Sequence, residues 1–422
     1  MEKALRRALI ALAILLACCS CALALDPSLD ISQYAHTAWL SREGFPKGVV
    51  ESFAQTPDGY LWLGTEFGLL RFDGVRAVPW QPPAGEHLPG SEIRSLIAAR
   101  DGTLWIGIGT NGGLASWKEG KLTQYPEFAG KWIGALFEAR NGTVWAAAWS
   151  RAASRLCAID SGNVRCFGED GSFGNYPVYS LFEDSRRNLW AGTMTGVWRW
   201  NPGPPKFYPM PATLNGIKGV AEGDNGALLV ATGSGIMRIV DGKVEAYPLP
   251  GIGQQFKPVS LLRDREGSLW MATSDHGLLH FHQGRTDRFA QPGGLSDDSV
   301  AALFEDREGN IWAATYGGLD RFRDFAVATI SVKQGLSNAW AGSVVAAGDG
   351  SVWLGTGDGL DRWKDGQITI YRKRSAQATN GSANPEHGLS AVREVTDRGL
   401  PDDFIGSLFQ DKSKRIWVST PE

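Results

Sequence analysis

Hydrophobic positions in this chain come in short runs, separated by polar breaks that carry glycine. The stretch from Ser299 to Phe322 shows the unit: VAALF, then EDREGN, then IWAAT, YGG and LDRF. A short apolar run of this kind suits a buried strand. Gly309 within the polar break supplies the positive φ that a tight turn needs. IWAAT reads as a second strand of β-branched and aromatic residues, and LDRF begins a third. Elsewhere a fourth strand is predicted after KDGQ (364–367), VDGK (240–243) or KEGK (118–121), whose central pairs favour two-residue hairpins. No helical period competes with these strands after residue 24.

The unit recurs. DGYLWLGTEFGLLRF at Asp58 returns as DGTLWIGIGTNGGLASW, RNLWAGTMTGVWRW, EGSLWMATSDHGLLHF, EGNIWAATYGGLDRF and DGSVWLGTGDGLDRW. Weaker copies start at Asn141 and Asn225, and a ninth at Lys414. The second strand is marked by Trp62, Trp105, Trp145, Trp190, Leu229, Trp270, Trp312, Trp353 and Trp417. One marker about every 40 residues means a repeat architecture, and four short antiparallel strands per period describe a β-propeller blade. The chain is therefore predicted to be all-β, a seven-bladed ring over 25–330 followed over 331–422 by the first blades of a second propeller. A single eight-bladed ring is the alternative. Asp30–Trp39 reads as an outer strand that pairs with the last blade and removes a free edge. FRDFAVATISV, lacking the hairpin glycine, marks the boundary, and the insertion from Arg374 to Val395 explains the long last interval. The repeated Trp is expected to pack between blades. The Arg of Gly-Leu-x-Arg (Arg71, Arg199, Arg238, Arg321, Arg362) is expected to bind loop carbonyls or acids of the next blade.

Composition agrees with many tight turns: 53 of 422 residues are glycine, and there are 17 tryptophans. The formal charge is -3, and no basic run follows the first residues, which argues against a nucleic-acid partner. Residues 1–24 read as an export signal: Lys3, Arg6 and Arg7, then an apolar run, then Ala22-Leu23-Ala24. Lipidation at Cys18 and an uncleaved anchor are the rival readings. No other stretch is apolar enough to span a membrane, and a periplasmic location follows. Of five cysteines, Cys157 and Cys166 lie outside this segment. A two-residue turn at Ser161-Gly162 sets them opposite each other at a non-hydrogen-bonded site, so a disulfide is plausible; two free thiols are the alternative.

GLSDDSVAALFEDREGNIWAATYGGLDRF and GFPKGVVESFAQTPDGYLWLGTEFGLLRFDG resemble the two-component regulator propeller repeat, and the resemblance covers most of 25–422. It implies a periplasmic ligand-binding sensor of a two-component system. Such proteins typically carry two seven-bladed propellers, a β-sandwich, a membrane helix and a histidine kinase or other output domain, and some recognise oligosaccharides. Nine repeats here against fourteen place the chain at the front of such a sensor, truncated before its output domain. Homodimerisation would then run through those downstream domains.

Chemistry is sparse. His276, His280 and His282 in HGLLHFH invite a metal, but His280 sits where other repeats place Arg, and no metal or other cofactor is expected. Asp297-Asp298 and Asp402-Asp403 recur at one repeat position and read as turn caps. No catalytic motif stands out, so a binding domain is favoured over a propeller lyase or glycosidase, and over a passive protein-binding scaffold. Ligands of propellers sit over the channel, beside the loops that lead into the innermost strands. The candidates there are Glu92, Trp132, Tyr179, Lys218, Lys257, Asp298 and Trp340, with aromatic rings suited to a small-molecule or oligosaccharide ligand.

Overall fold

Every hydrophobic run from Ala35 onward that carries the repeat pattern forms a strand in the computed structural model. The model describes residues 25–421 except 151–152, 161, 169–175, 201–203, 212–215, 253–255, 326–328, 365 and 374–398. The export-signal and 374–395 insertion assignments therefore lie outside the described residues. The chain divides between Asp324 and Phe325 into two compact units.

Among the described residues, the first unit holds seven four-stranded antiparallel sheets. Their innermost strands are Val50–Gln55, Ile93–Ala98, Trp132–Glu138, Ser180–Glu183, Val220–Glu222, Pro258–Arg263 and Val300–Glu305, which number blades 1 to 7. Each innermost strand packs against the next, and Val300–Glu305 packs against Val50–Gln55, so the sheets form a closed cycle. Six sheets take their strands in chain order. Blade 7 borrows its outer strand from the other end of the unit: Ala35–Leu40 pairs with Gly318–Arg323, in register from Ala35 opposite Arg323 to Leu40 opposite Gly318. That borrowed strand makes a separate fourth strand after Arg323 unnecessary and covers the edge of blade 7.

The second strand of each blade is the apolar centre. LWLGT, LWIGI, LLVAT, LWMAT and IWAAT are buried at every position. Alternate side chains serve the two neighbouring blades, so a strand covered on both faces shows no polar alternation. The Trp packs across the blade interface. Trp312 lies with Phe53, Leu63 and Phe72 of blade 1, and Trp270 with Ile311, Ala313 and Phe322 of blade 7. A buried indole N–H needs an acceptor. Trp190, Trp270 and Trp312 donate to Asp184, Asp264 and Asp306 at 2.9, 2.8 and 2.7 Å.

The Arg expectation needs correction. Arg71 and Arg238 pair with Asp58 and Glu245 of their own blades, at 3.6 and 2.7 Å, and Arg362 with Asp349 of its own sheet at 2.8 Å. Arg321 lies over the rings of Trp39 and Trp312. A third-strand side chain reaches across its own sheet, and the next blade's loops are farther away. The arginines that clasp the next blade sit in the first hairpin turn instead. Arg100 donates to the carbonyls of Ala139 and Arg140 at 3.0 and 2.9 Å. Arg265 does the same to Asp306 and Arg307, and Arg307 to Thr56 and Pro57.

Cys157 and Cys166 are directly opposed in register on the outer hairpin of blade 3, with a sulfur–sulfur distance of 2.03 Å. The second unit contains one four-stranded sheet, with strands Ala341–Ala346, Val352–Thr356, Leu360–Lys364 and Gln367–Tyr371. It also holds a two-stranded sheet of Ser407–Gln410 and Ile416–Ser419. Among the described residues no helix is long and apolar enough to cross a membrane.

Candidate functional site

A single distortion places side chains over the channel. In blades 1, 2, 3, 6 and 7 the innermost strand slips register by one residue near its start. The residue within the slip is Glu51, Arg94, Gly134, Val259 or Ala301. A β-bulge leaves its extra residue unpaired and re-aims its side chain. In blades 4 and 5 the equivalent residues, Tyr179 and Lys218, stand just ahead of the strand. The seven positions share a place in the repeat but not a chemistry: one acid, two bases, one phenol and three small or apolar residues.

Six of them, all but Val259, line a cavity of about 630 Å³ at this end of the channel. Glu51, Arg94, Tyr179 and Lys218 line it, together with Trp132, Trp149 and Tyr316. Lys218 of blade 5 reaches across to Glu51 of blade 1 at 2.9 Å, and Arg94 of blade 2 contacts the same carboxylate at 3.2 Å. Arg94 is also held by Glu92, at 2.5 Å from its terminal nitrogen and 2.7 Å from its Nε. The chain Glu92–Arg94–Glu51–Lys218 thus bridges the mouth with balanced charge, each member half-buried.

Glycines make room for the rings. A Cβ on Gly134 would collide with the Trp132 ring, and one on Gly216 with the Tyr179 ring. Gly216 also holds a φ of +72°. Trp132 and Tyr179 meet edge to face at 5.5 Å. Burial raises the Tyr179 hydroxyl above its ordinary range, so it stays protonated and can donate. Burial also opposes ionisation of Glu92, but the Thr110 amide at 2.8 Å and Arg94 outweigh it and hold the carboxyl below its ordinary range. The floor is aromatic: Phe53 and Phe304 stack at 5.7 Å and line both this cavity and a second one, of about 480 Å³, at the turn end.

Of the candidates read from the sequence, Trp132, Tyr179 and Lys218 come together. Glu92 stands behind them and positions Arg94. Lys257 and Asp298 do not line the cavity; the Asp298 carboxylate accepts the Gln291 amide, as a cap does. Trp340 belongs to the second unit, where it is 53% exposed and stacks on Phe404 at 5.6 Å. It holds the same place in its sheet as Trp132, because Trp132-Ile133-Gly134 and Trp340-Ala341-Gly342 are the same three-residue step. Glu51 and Arg94 are absent from the sequence-derived candidates. In their blades the repeat pattern points ahead of the buried aliphatic, short of the channel-facing residue, because nothing in the residue types announces the bulge.

The histidines do not converge. His280 is buried against Trp270 and Tyr34, His282 shares a hydrogen bond with Ser268, and His276 lies beside Asp275 in a turn. Among the described residues no group of three His, Cys, Asp or Glu is placed to hold a metal.

A search of curated proteins found no match. Among solved structures, a protein described as the extracellular domain of the putative hybrid two component system BT3049 from B. thetaiotaomicron superposes with a TM-score of 0.63 at 18% identity. It covers 92% of this chain and 52% of its own, so the chain spans about half that relative's length. The corresponding domain of BT4673, also from B. thetaiotaomicron, gives 0.55 at 19%, over 92% and 51%. Virginiamycin B lyase from Staphylococcus aureus gives 0.55 at 15%, over 69% of this chain and all of its own. At these identities the likeness is one of fold. The model of the two component regulator propeller matches residues 44–67, 172–195, 294–317 and 399–422, each running from the lead-in of an innermost strand to the end of the second. The chain is thus a β-propeller protein that carries two-component regulator propeller repeats at these four places.

Proposed function

We propose that this chain is the ligand-binding sensor part of a two-component signalling protein, exported to the periplasm, and that its ligand is a small molecule or oligosaccharide seated over the channel at Trp132, Tyr179 and Lys218. One observation carries the reading. The positions that differ in chemistry from blade to blade are the ones that converge on a cavity, while the positions that repeat are spent on packing. A cavity of about 630 Å³ lies in the size range of small-ligand sites. Its indole, phenol and charged groups offer faces and polar partners for a sugar ring. In this reading a ligand group inserted between Lys218 and Glu51 exchanges a bond across the channel for bonds to the ligand, and that exchange is the signal. Output passes to a kinase or another domain outside the chain.

The lyase fold neighbour raises an enzymatic alternative. No observation within the cavity favours it: among its described lining residues there is one carboxylate and no histidine. The test is calorimetric titration of the exported protein with a library of neutral and acidic oligosaccharides, repeated on Lys218→Ala and Trp132→Ala. Binding lost in both variants, with melting temperatures within a few degrees of the parent, supports the site. Binding that survives both variants places the ligand elsewhere, and turnover of a library member would make the protein an enzyme.

A further inference from the structure

The blades solve one local problem in two ways, and blades 2 and 3 leave it unsolved: Ala99 and Ala139 stand six residues before Trp105 and Trp145, of which Trp105 is the more buried. The first hairpin turn has free amides to satisfy, and the repeated Trp has a buried indole N–H. In blades 4, 6 and 7 an Asp six residues before the Trp does both jobs: Asp184, Asp264 and Asp306 accept a turn amide and the indole. In blades 1, 2 and 3 the amide acceptor moves to four residues before the Trp, as Asp58, Asp101 and Asn141. That shift leaves the indole in need of another partner. Thr56 supplies it in blade 1, at 2.8 Å, and in the second unit Ser351 supplies it to Trp353 at 3.0 Å. Blade 5 has no need, since Leu229 replaces the Trp.

In blade 2 the position of Thr56 is taken by Ala99, and Trp105 has no acceptor for its N–H among the described residues. Thr103 stands where Ser351 does, but its hydroxyl donates to Asp101 at 2.9 Å. Trp105 is 8% exposed, so the vacant donor belongs to a side chain more than nine-tenths buried. The N–H itself is not among the fully enclosed polar atoms that lack a partner, so it reaches the space beside the ring and is free to donate there.

The second observation is space. Trp105 and Ala99 line a cavity of about 830 Å³ between blades 2 and 3, away from the channel mouth. Tyr125 stacks on Trp105 at 5.1 Å and shares a hydrogen bond with Ser116, and both line the same cleft. Thr103 and Thr123 add hydroxyls, and as many acidic as basic side chains line the wall. Such a wall asks for no net charge from its occupant and offers many hydrogen bonds.

We propose that the cleft between blades 2 and 3 is a second ligand site, taking an uncharged polyhydroxylated molecule whose oxygen accepts the Trp105 indole N–H. The occupant supplies the acceptor that Asp or Thr provides in blades 1, 4, 6 and 7. The proposal does not rest on the channel-mouth reading, and Lys218→Ala is expected to leave it untouched.

The test follows indole N–H resonances of the nitrogen-labelled chain, with Trp105→Phe assigning the signal. Maltose is the neutral probe and glucuronate the charged one. Expected is a saturable shift of the Trp105 signal with maltose, without a matching shift at Trp312, whose N–H is already bound. Ala99→Asp restores the acceptor found in other blades, so it should abolish the maltose shift while raising the melting temperature. Trp105→Phe should abolish maltose binding and leave the melting temperature unchanged. The proposal is overturned if maltose moves nothing, if Ala99→Asp leaves the shift intact, or if only glucuronate acts. It is also overturned if Thr103→Val displaces the indole signal in the unliganded protein, because the donor is then already satisfied from within.

Discussion

The two ends of the channel are built from the same innermost strands and are chemically opposite. At the turn end, Arg100, Arg265 and Arg307 all act alike, and each clasps backbone carbonyls of the next blade's turn. At the lead-in end, Glu51 and Arg94 at their bulges and Tyr179 and Lys218 at the equivalent positions repeat nothing, and two of their contacts reach across blades. A residue that serves its neighbour can recur, since every blade has one, and Arg stands at this turn position in blades 2, 3, 6 and 7. A residue that serves a ligand must not recur, since the ligand is not seven-fold. On the proposed reading the turn end is a joint and the lead-in end a site.

The sharpest way to break this division is through the repeated Trp. Trp312→Ala empties a fully packed interface between blades 7 and 1 and strands Asp306 without its indole partner. A loss of roughly 3–5 kcal/mol is expected in denaturant unfolding. Trp132→Ala, at the half-buried mouth, should cost far less and be felt in binding. If the two variants lose equal stability, the mouth is structural and the distinction between joint and site falls.

Arg307→Ala probes the joint itself and ranks next. It leaves the carbonyls of Thr56 and Pro57 without their guanidinium, where blade 7 meets blade 1. Because the arginine is partly exposed and water can replace it, about 1–2 kcal/mol is expected, with ligand affinity unchanged. A variant that keeps its stability but loses ligand would reverse the roles assigned to the two ends.

The same distinction governs how much the chain discloses before it is folded. Blades are legible because Trp62, Trp270 and Trp312 stand in near-identical surroundings, and period-40 recurrence needs no chemistry to be seen. The closing strand Ala35–Leu40 is legible as an extended segment lacking its own hairpin. The turn arginines are overshadowed by the more conspicuous Gly-Leu-x-Arg, since both recur, and only the direction of the strands tells which arginine faces the next blade. At the mouth, Trp132, Tyr179 and Lys218 show as departures from pattern. Glu51 and Arg94 do not, because a one-residue bulge moves the channel-facing position and leaves no residue signature in VVESF or EIRSL. Gly134 beside Trp132 is the available clue: a glycine two residues after a half-buried Trp, at a strand start, is there to let the ring lie down.

Glu92 gives the smallest effect and the finest test of the bridge across the mouth. Its carboxyl is held below the ordinary range: burial opposes ionisation, but the Thr110 amide and Arg94 overcome it. A carboxyl with a depressed folded value adds stability above its unfolded value and loses it as pH falls through the folded one. The group is partly solvated, so the contribution should be on the order of 1 kcal/mol or less. Glu92→Gln should lower neutral stability by that small amount and remove the matching part of the acid limb below the ordinary carboxylate range. At neutral pH it should also show in binding, because Arg94 released from Glu92 is held by Glu51 alone, and Glu51 is then drawn from Lys218. An acid limb identical in Glu92→Gln and parent would mean that Glu92 does not hold Arg94 in solution. The bridge would then begin at Arg94, with the Lys218–Glu51 pair as its one fixed span.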